Sequence, residues 1–200
     1  MNRIAFLLVG VVLSSQALAD ARDRLDRFAD GLVALSAEFS QVTLDERGWP
    51  QDESSGWLYF QSPDRFRWSY QEPFPQEMVA DGRQLWHFDE SLEQVTVREQ
   101  PPADESPLMV LTRPDLLDRF YEIEPTDEDH ILRFRPLSED GEFELASLHF
   151  IGDTPAALEL VDRFGQLTRV ELHRLVRNPE LDEALFSFVI PEGADVLEGY

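Results

Sequence analysis

The sequence predicts a mainly β chain with short helices (α+β): one large antiparallel sheet of about ten or eleven strands, with helical segments at its start and middle. Three observations carry that reading. Period-two alternation of apolar and polar residues recurs from Ser36 almost to the C-terminus. Turn chemistry interrupts it at short intervals, at Ser62-Pro63-Asp64, Pro73-Phe74-Pro75, Asp81-Gly82 and Glu90-Ser91, the spacing of an antiparallel meander. Helical spacing occurs in two places only. A sheet this long curls. A curled sheet encloses a concave face, and the two helical segments are available to cover it.

The elements follow in order. Residues Ala21 to Leu35 place Leu25, Phe28, Leu32 and Leu35 at helical intervals with Asp and Arg between, an amphipathic helix with one buried stripe. The period then becomes two in "SAEFSQVTLD", and "ERGWPQDE" is a turn. "SGWLYFQ", "RFRWSYQ", "QEMVAD", "QLWHFD" and "EQVTVREQ" read as short strands. "PLMVLTRPDLLDRF" (Pro107 to Phe120) reads as two short helices broken at Pro114, with more apolar surface than one helical stripe requires. Strands resume in "RFRPL", "FELASLHFI" and "ALELVDRFGQLTRVELHRLV", the last folded into a hairpin around Phe164-Gly165-Gln166, and end with "LFSFVIP". Internal repeats, low-complexity tracts and domain linkers are not evident, so residues 20–200 read as a single domain.

The N-terminus gives a location. Arg3, an apolar run from Ile4 to Leu13, and Ala17-Leu18-Ala19 before Asp20 form a secretory signal peptide over residues 1–19 with an A-x-A cleavage site. A run of about ten residues is too short to span a bilayer. Cysteine is absent, which removes disulfide and thiolate chemistry and leaves no thiol to carry a lipid anchor. The expected product is soluble, not membrane-anchored, and exported.

The charge excludes whole classes of partner. All 17 basic residues are arginine; without Arg3, 16 arginines stand against 40 acids, a net charge of −24. Such a surface repels nucleic acid and anionic membranes. It suits solubility in high external salt, where screening shortens self-repulsion.

A search for catalysis returns little. His87, His130, His149 and His173 are scattered and form no metal-binding pair. Nucleophile elbows and phosphate-binding glycine loops are not found; a solvated surface is the ordinary reading of the many carboxylates, with a glycosidase-like pair left open by the sequence. No enzyme activity, cofactor or metal is expected. What stands out is apolar: Phe39, Leu58, Phe60, Phe66, Trp68, Tyr70, Met78, Leu85, Trp86, Phe88, Met109 and Leu111. In "SPDRFRWSYQEPFPQ", Phe66, Trp68 and Tyr70 fall on one side of an extended chain, with Arg65, Arg67 and Ser69 on the other. Such a set forms either an ordinary core or a dry cavity for an apolar guest, a role that aromatic rings and Met suit.

Five stretches, in this order, carry a resemblance: "AEFSQVTLDERG", "SSGWLYFQSPDRFRWSYQEPFPQEMVADGRQLWHFD", "LEQVTVRE", "SPLMVLT" and "ALFSFVIPEGADVLE". Together they resemble the LolA family of periplasmic outer-membrane lipoprotein carriers over essentially the whole exported chain. The resemblance implies an incomplete antiparallel β-barrel, a half-barrel closed on its open side by a helical lid, here about residues 107–120. It implies a monomeric chaperone for protein transport and lipoprotein localization in outer-membrane biogenesis. Its partners would be outer-membrane-directed lipoproteins, taken from an inner-membrane ABC-type release complex and passed to an outer-membrane receptor.

By the same resemblance, Phe66 falls at the family's cavity-mouth phenylalanine and Trp68 lines the same strand. The acyl-chain site it implies comprises Phe39, Leu58, Phe60, Phe66, Trp68, Met78 and Trp86, with Leu108, Met109, Leu111 and Leu116 facing inward from the lid. Family members often carry a lid-bonding arginine just before the proline that precedes this strand; that position is Ser62. Arg65 and Arg67 are the nearby candidates for the lid latch. The same scaffold also serves envelope receptors and lipid-binding sensors. The missing lipid-anchor cysteine argues against a receptor, and the lack of a second domain against the sensor type.

Overall fold

A computed structural model describes residues 21–100, 107–138 and 143–199. The signal peptide expected at residues 1–19, and the side chain of Leu108, lie outside them. Residues 21–29 form helix α1. It buries Ala21, Leu25 and Phe28, but it is shorter than its apolar spacing predicts. Gly31 adopts φ +65°, a left-handed conformation that ends helices and favours glycine. Leu32 and Leu35 are buried beyond that stop, Leu35 already in the first strand.

Strands β1 (Ala34–Leu44), β2 (Pro50–Gln61), β3 (Arg65–Glu72), β4 (Gln76–Ala80), β5 (Gln84–Asp89) and β6 (Gln94–Glu99) form the first meander. A 3₁₀ turn (Pro107–Leu111) and helix α2 (Asp115–Phe120) follow, divided at Pro114 as the sequence predicts. Then come β7 (Tyr121–Glu124), β8 (Ile131–Pro136), β9 (Leu145–Ile151), β10 (Thr154–Val161) and β11 (Leu167–Arg177), a second 3₁₀ turn (Glu183–Phe186), and β12 (Asp195–Glu198).

All belong to one 12-stranded open sheet, ordered β12-β6-β5-β4-β3-β2-β1-β11-β10-β9-β8-β7. Pairings are antiparallel except that of β12 with β6. The count exceeds expectation because β7 and β12 were not predicted. The strand expected in "LFSFVIP" is instead the second 3₁₀ turn and an extended segment: Asp182 caps the turn by accepting from the Ala184 N–H, which diverts the chain from the ladder.

Candidate functional site

Directly paired residues share a face, so the register assigns every side chain of β1–β5. Three rows cross these strands on one face. The first runs Leu35, Phe60, Phe66, Ala80, Leu85; the second Ala37, Leu58, Trp68, Met78, His87; the third Phe39, Gly56, Tyr70, Gln76, Asp89. The second and third rows end on polar residues of β5, the first on Leu85. On the other side of β1, Val170, Leu158, Leu148 and Leu132 continue the same face from Gln41.

The two helical segments cover this face. Met109 and Leu116 pack in one cluster with Phe28, Leu32, Leu35 and Phe60, against Phe66. Val110, Leu111 and Leu117 pack in another with Leu25, Phe39 and Leu58, against Trp68 and Tyr70. Coverage is uneven. The wall from β8 to β11 is buried core, whereas Phe66, Trp68, Tyr70 and Met78 are only half-buried. The half-covered strip along β3 and β4 is the candidate site.

Its aromatic lining is ordered. Phe39 stands edge-on to Trp68 and Tyr70, with centroids 5.3 and 5.1 Å apart, and Trp68 stacks on Tyr70 at 6.0 Å. Gly56 makes room for this arrangement. A Cβ there would meet the Ser69 carbonyl oxygen at 1.8 Å and Phe39 Cε1 at 3.0 Å, so β2 can cross beneath Phe39 only as glycine. Burial, then the charge of Asp52, pushes the Tyr70 phenol up to about 12, and its hydroxyl donates to Gln41 Oε1 at 3.3 Å. The Trp68 indole N–H is buried and has no acceptor, which costs about 1–3 kcal/mol.

Of the side chains predicted to line the site, the structure brings Phe39, Leu58, Phe60, Phe66, Trp68 and Met78 onto one face, with Met109, Leu111 and Leu116 of the lid against it. Trp86 is a correction. It pairs with Val79 in the row Tyr59, Arg67, Val79, Trp86, which is the opposite, convex face, and its ring stacks on Phe188 at 5.5 Å.

Arg65 and Arg67 are a second correction. They lie on the convex face and hold the C-terminal 3₁₀ turn rather than the lid. Arg65 Nη1 donates to Glu183 Oε2 at 2.6 Å. Arg67 Nη1 donates to the Leu185 carbonyl at 3.3 Å, and its Nε to Glu77 at 2.9 Å. The ion pair that joins the covering helices is Arg22 with Asp118, which the sequence reading did not find. Tyr70, also absent from the predicted lining, was signalled by the Phe-x-Trp-x-Tyr alternation.

Among the described residues no cluster of His, Asp and Glu could hold a metal ion, and no helix is long and apolar enough to cross a membrane. The family model for "Outer membrane lipoprotein carrier protein LolA" matches residues 30–189.

The chain belongs to the LolA family.

Relatives agree along nearly the full length. The outer-membrane lipoprotein carrier protein of Xanthomonas oryzae pv. oryzae is 39% identical over 197 residues, covering 96% of this chain and 94% of that one. The protein of the same name from Methylococcus capsulatus is 39% identical, covering 92% and 91%. Among solved structures, an uncharacterized conserved protein from Thermus thermophilus superposes with a TM-score of 0.55 at 12% identity, covering 92% of this chain and 100% of that one; it supports the fold alone.

Proposed function

We propose that this protein is a periplasmic lipoprotein carrier that binds the acyl chains of triacylated lipoproteins on the concave strip formed by Phe39, Leu58, Phe60, Phe66, Trp68, Tyr70 and Met78. Residues 1–19 direct export, and the remainder works as a soluble monomer. It accepts cargo from an inner-membrane ABC-type release complex and delivers it to an outer-membrane receptor. The carrying observation is the asymmetry of the concave face: one half is closed core, while the other is an aromatic strip only half covered by the helical segments.

The energetics suit transient carriage. Exposing an acyl chain to water costs about 0.8 kcal/mol per methylene, so three long chains cost on the order of 30 kcal/mol. A carrier must offset most of that and still release its load. Here Met109, Val110, Leu111, Leu116 and Leu117 bury against the sheet, at about 1.5–3 kcal/mol per side chain. Cargo entry displaces part of that packing and supplies acyl contacts in its place, so the lid competes with the cargo and assists its release. The unpartnered Trp68 N–H suits an ester carbonyl at the head of the acyl chains, while the walls supply contacts without polarity.

A synthetic triacylated lipopeptide tests the site directly. Titrating it into the protein should change the emission of Trp68 and saturate at one equivalent. Trp68→Phe should remove the spectral change but keep the binding. Phe66→Glu should lower affinity at least about tenfold, because a carboxylate facing apolar surroundings is costly. Unchanged affinity in Phe66→Glu would place the acyl chains elsewhere.

A further inference from the structure

The register also sorts the loops into two ends of the sheet. The β1–β2, β3–β4, β5–β6 and β10–β11 connections lie together at one end, as the pairs Leu44 with Leu167, Gln76 with Asp89, and Val161 with Leu167 require. Each carries one large exposed apolar side chain: Trp49, Phe74, Leu92 and Phe164, 63–79% exposed. At the other end, α1 crosses the loops, Arg24 Nη1 donating to the Gly152 carbonyl and Arg27 pairing with Asp153. The turns there, residues 62–64, 81–83, 125–130 and 152–153, carry no large apolar side chain, and the exposed apolar residues at this end, Val33 and Ile151, sit where β1 begins and β9 ends rather than on projecting tips.

Two neighbouring tips share one construction. Asp45 Oδ1 accepts the N–H groups of Arg47 and Trp49, both at 2.9 Å, and Asp162 Oδ1 accepts those of Phe164 and Gln166 at 2.8 and 2.9 Å. Gly48 and Gly165 take φ +80° and +77°. The turns are neighbours: a Cβ added at Gly165 would come within 3.7 Å of Glu46 Cβ. Each therefore presents an exposed aromatic ring beside an exposed arginine, Trp49 with Arg47 and Phe164 with Arg163, on a backbone held by its own aspartate.

We infer that this end of the sheet is a contact surface for the headgroup layer of a zwitterionic phospholipid bilayer. Three features select that partner. Single apolar side chains on separate projecting tips offer no continuous surface for a shape-complementary protein, but a fluid interface closes around each one. Aromatic rings at a projecting edge favour the headgroup level, and the arginines beside them meet lipid phosphates. The surrounding acids, including Glu46, Glu90 and Glu93, and the strongly negative body oppose anionic lipid, which leaves neutral headgroups. The inference deepens the carrier reading and rests on it: cargo lodged by its acyl chains in a bilayer is met at that bilayer.

The test uses cargo-free purified protein, processed as the cell leaves it, so that its outcome is independent of acyl binding. Flotation with phosphatidylcholine–phosphatidylethanolamine vesicles should carry a measurable fraction of the protein, and brominated phosphatidylcholine should quench Trp49. The double variant Trp49→Ser/Phe164→Ser should lose about tenfold in vesicle partition with unchanged circular dichroism and lipopeptide affinity. Ile151→Ser, at the opposite end, should lose nothing. Adding anionic lipid should lower partition. Absence of wild-type flotation at millimolar lipid, equal flotation of the double variant, or loss in that variant of binding to a purified membrane protein with vesicle partition intact would each overturn the inference.

Discussion

Arg22 of α1 grips Asp118 of α2 with two parallel hydrogen bonds, Nη1 to Oδ1 at 2.8 Å and Nη2 to Oδ2 at 3.0 Å. The residues are 96 positions apart, and they join the two helices that cover the concave face. Arg22 also donates from Nε to Asp26 on its own helix. The pair is exposed, so its contribution is about 0.2–1 kcal/mol, far below that of the apolar side chains beneath it. It sets where the lid sits more than how stable the fold is. Arg22→Gln should therefore lower Tm by only a few degrees, while hydrogen exchange across residues 109–118 accelerates several-fold. A loss of stability above about 2 kcal/mol would make the pair structural instead.

Acid should act on the same latch. The Arg22 hydrogen bonds, ahead of the opposing desolvation, hold the Asp118 carboxyl below its usual range. A lowered folded value contributes stability that is complete above the ordinary carboxyl pKa of about 3.9 and is lost as pH falls through the folded value. Lid exchange in the wild type should thus rise below about pH 4, and Asp118→Asn should be faster at neutral pH and lack that added acid step. Parallel acid responses in the two proteins would contradict the assignment.

Tyr70 gives an alkaline counterpart. Its folded value of about 12 lies above the ordinary phenol value, so its contribution is complete below about pH 10 and is lost as pH rises through 12. Phenolate absorbance should show a late step that Tyr70→Phe removes. Lipopeptide bound over this strip should push that step higher still.

The two faces of β3–β5 should separate in mutagenesis. Phe66→Glu should lower cargo affinity at least about tenfold in a folded protein. Trp86→Ala should cost about 2–4 kcal/mol by emptying the contact with Phe188, and should leave cargo affinity near wild type. Chemical denaturation and lipopeptide titration of both variants check this, and a large affinity loss in Trp86→Ala would return that residue to the site.

Gly56→Ala should destabilise by about 2–4 kcal/mol, because the added methyl meets the Ser69 carbonyl at 1.8 Å. A denaturation midpoint near wild type would show that β3 yields there.

The strip was legible because alternation is a local signal: Phe66, Trp68 and Tyr70 had to share a face once β3 was extended. Trp86 was not, because β5 offers two apolar sets, and only the pairing of Trp86 with Val79 assigns its side. Arg65 and Arg67 were correctly turned away from the aromatic face by alternation. Their partners Glu183 and Leu185 lie 118 positions on, in a segment whose Phe186 and Phe188 mimic a strand. The first helix was over-extended because Leu32 and Leu35 kept helical spacing past Gly31. Strand β7, four residues long, was too short for periodicity to register.

The most direct test of carriage uses inner-membrane vesicles that hold a triacylated lipoprotein and an active release complex. The protein is added, the vesicles are sedimented, and the soluble fraction is analysed for a one-to-one complex, with Phe66→Glu alongside. Lipoprotein solubilised by the wild type and not by the variant is the predicted result. Equal release by the folded variant, or none by the wild type, would contradict the assignment of the concave strip as the carrier's acyl-chain site.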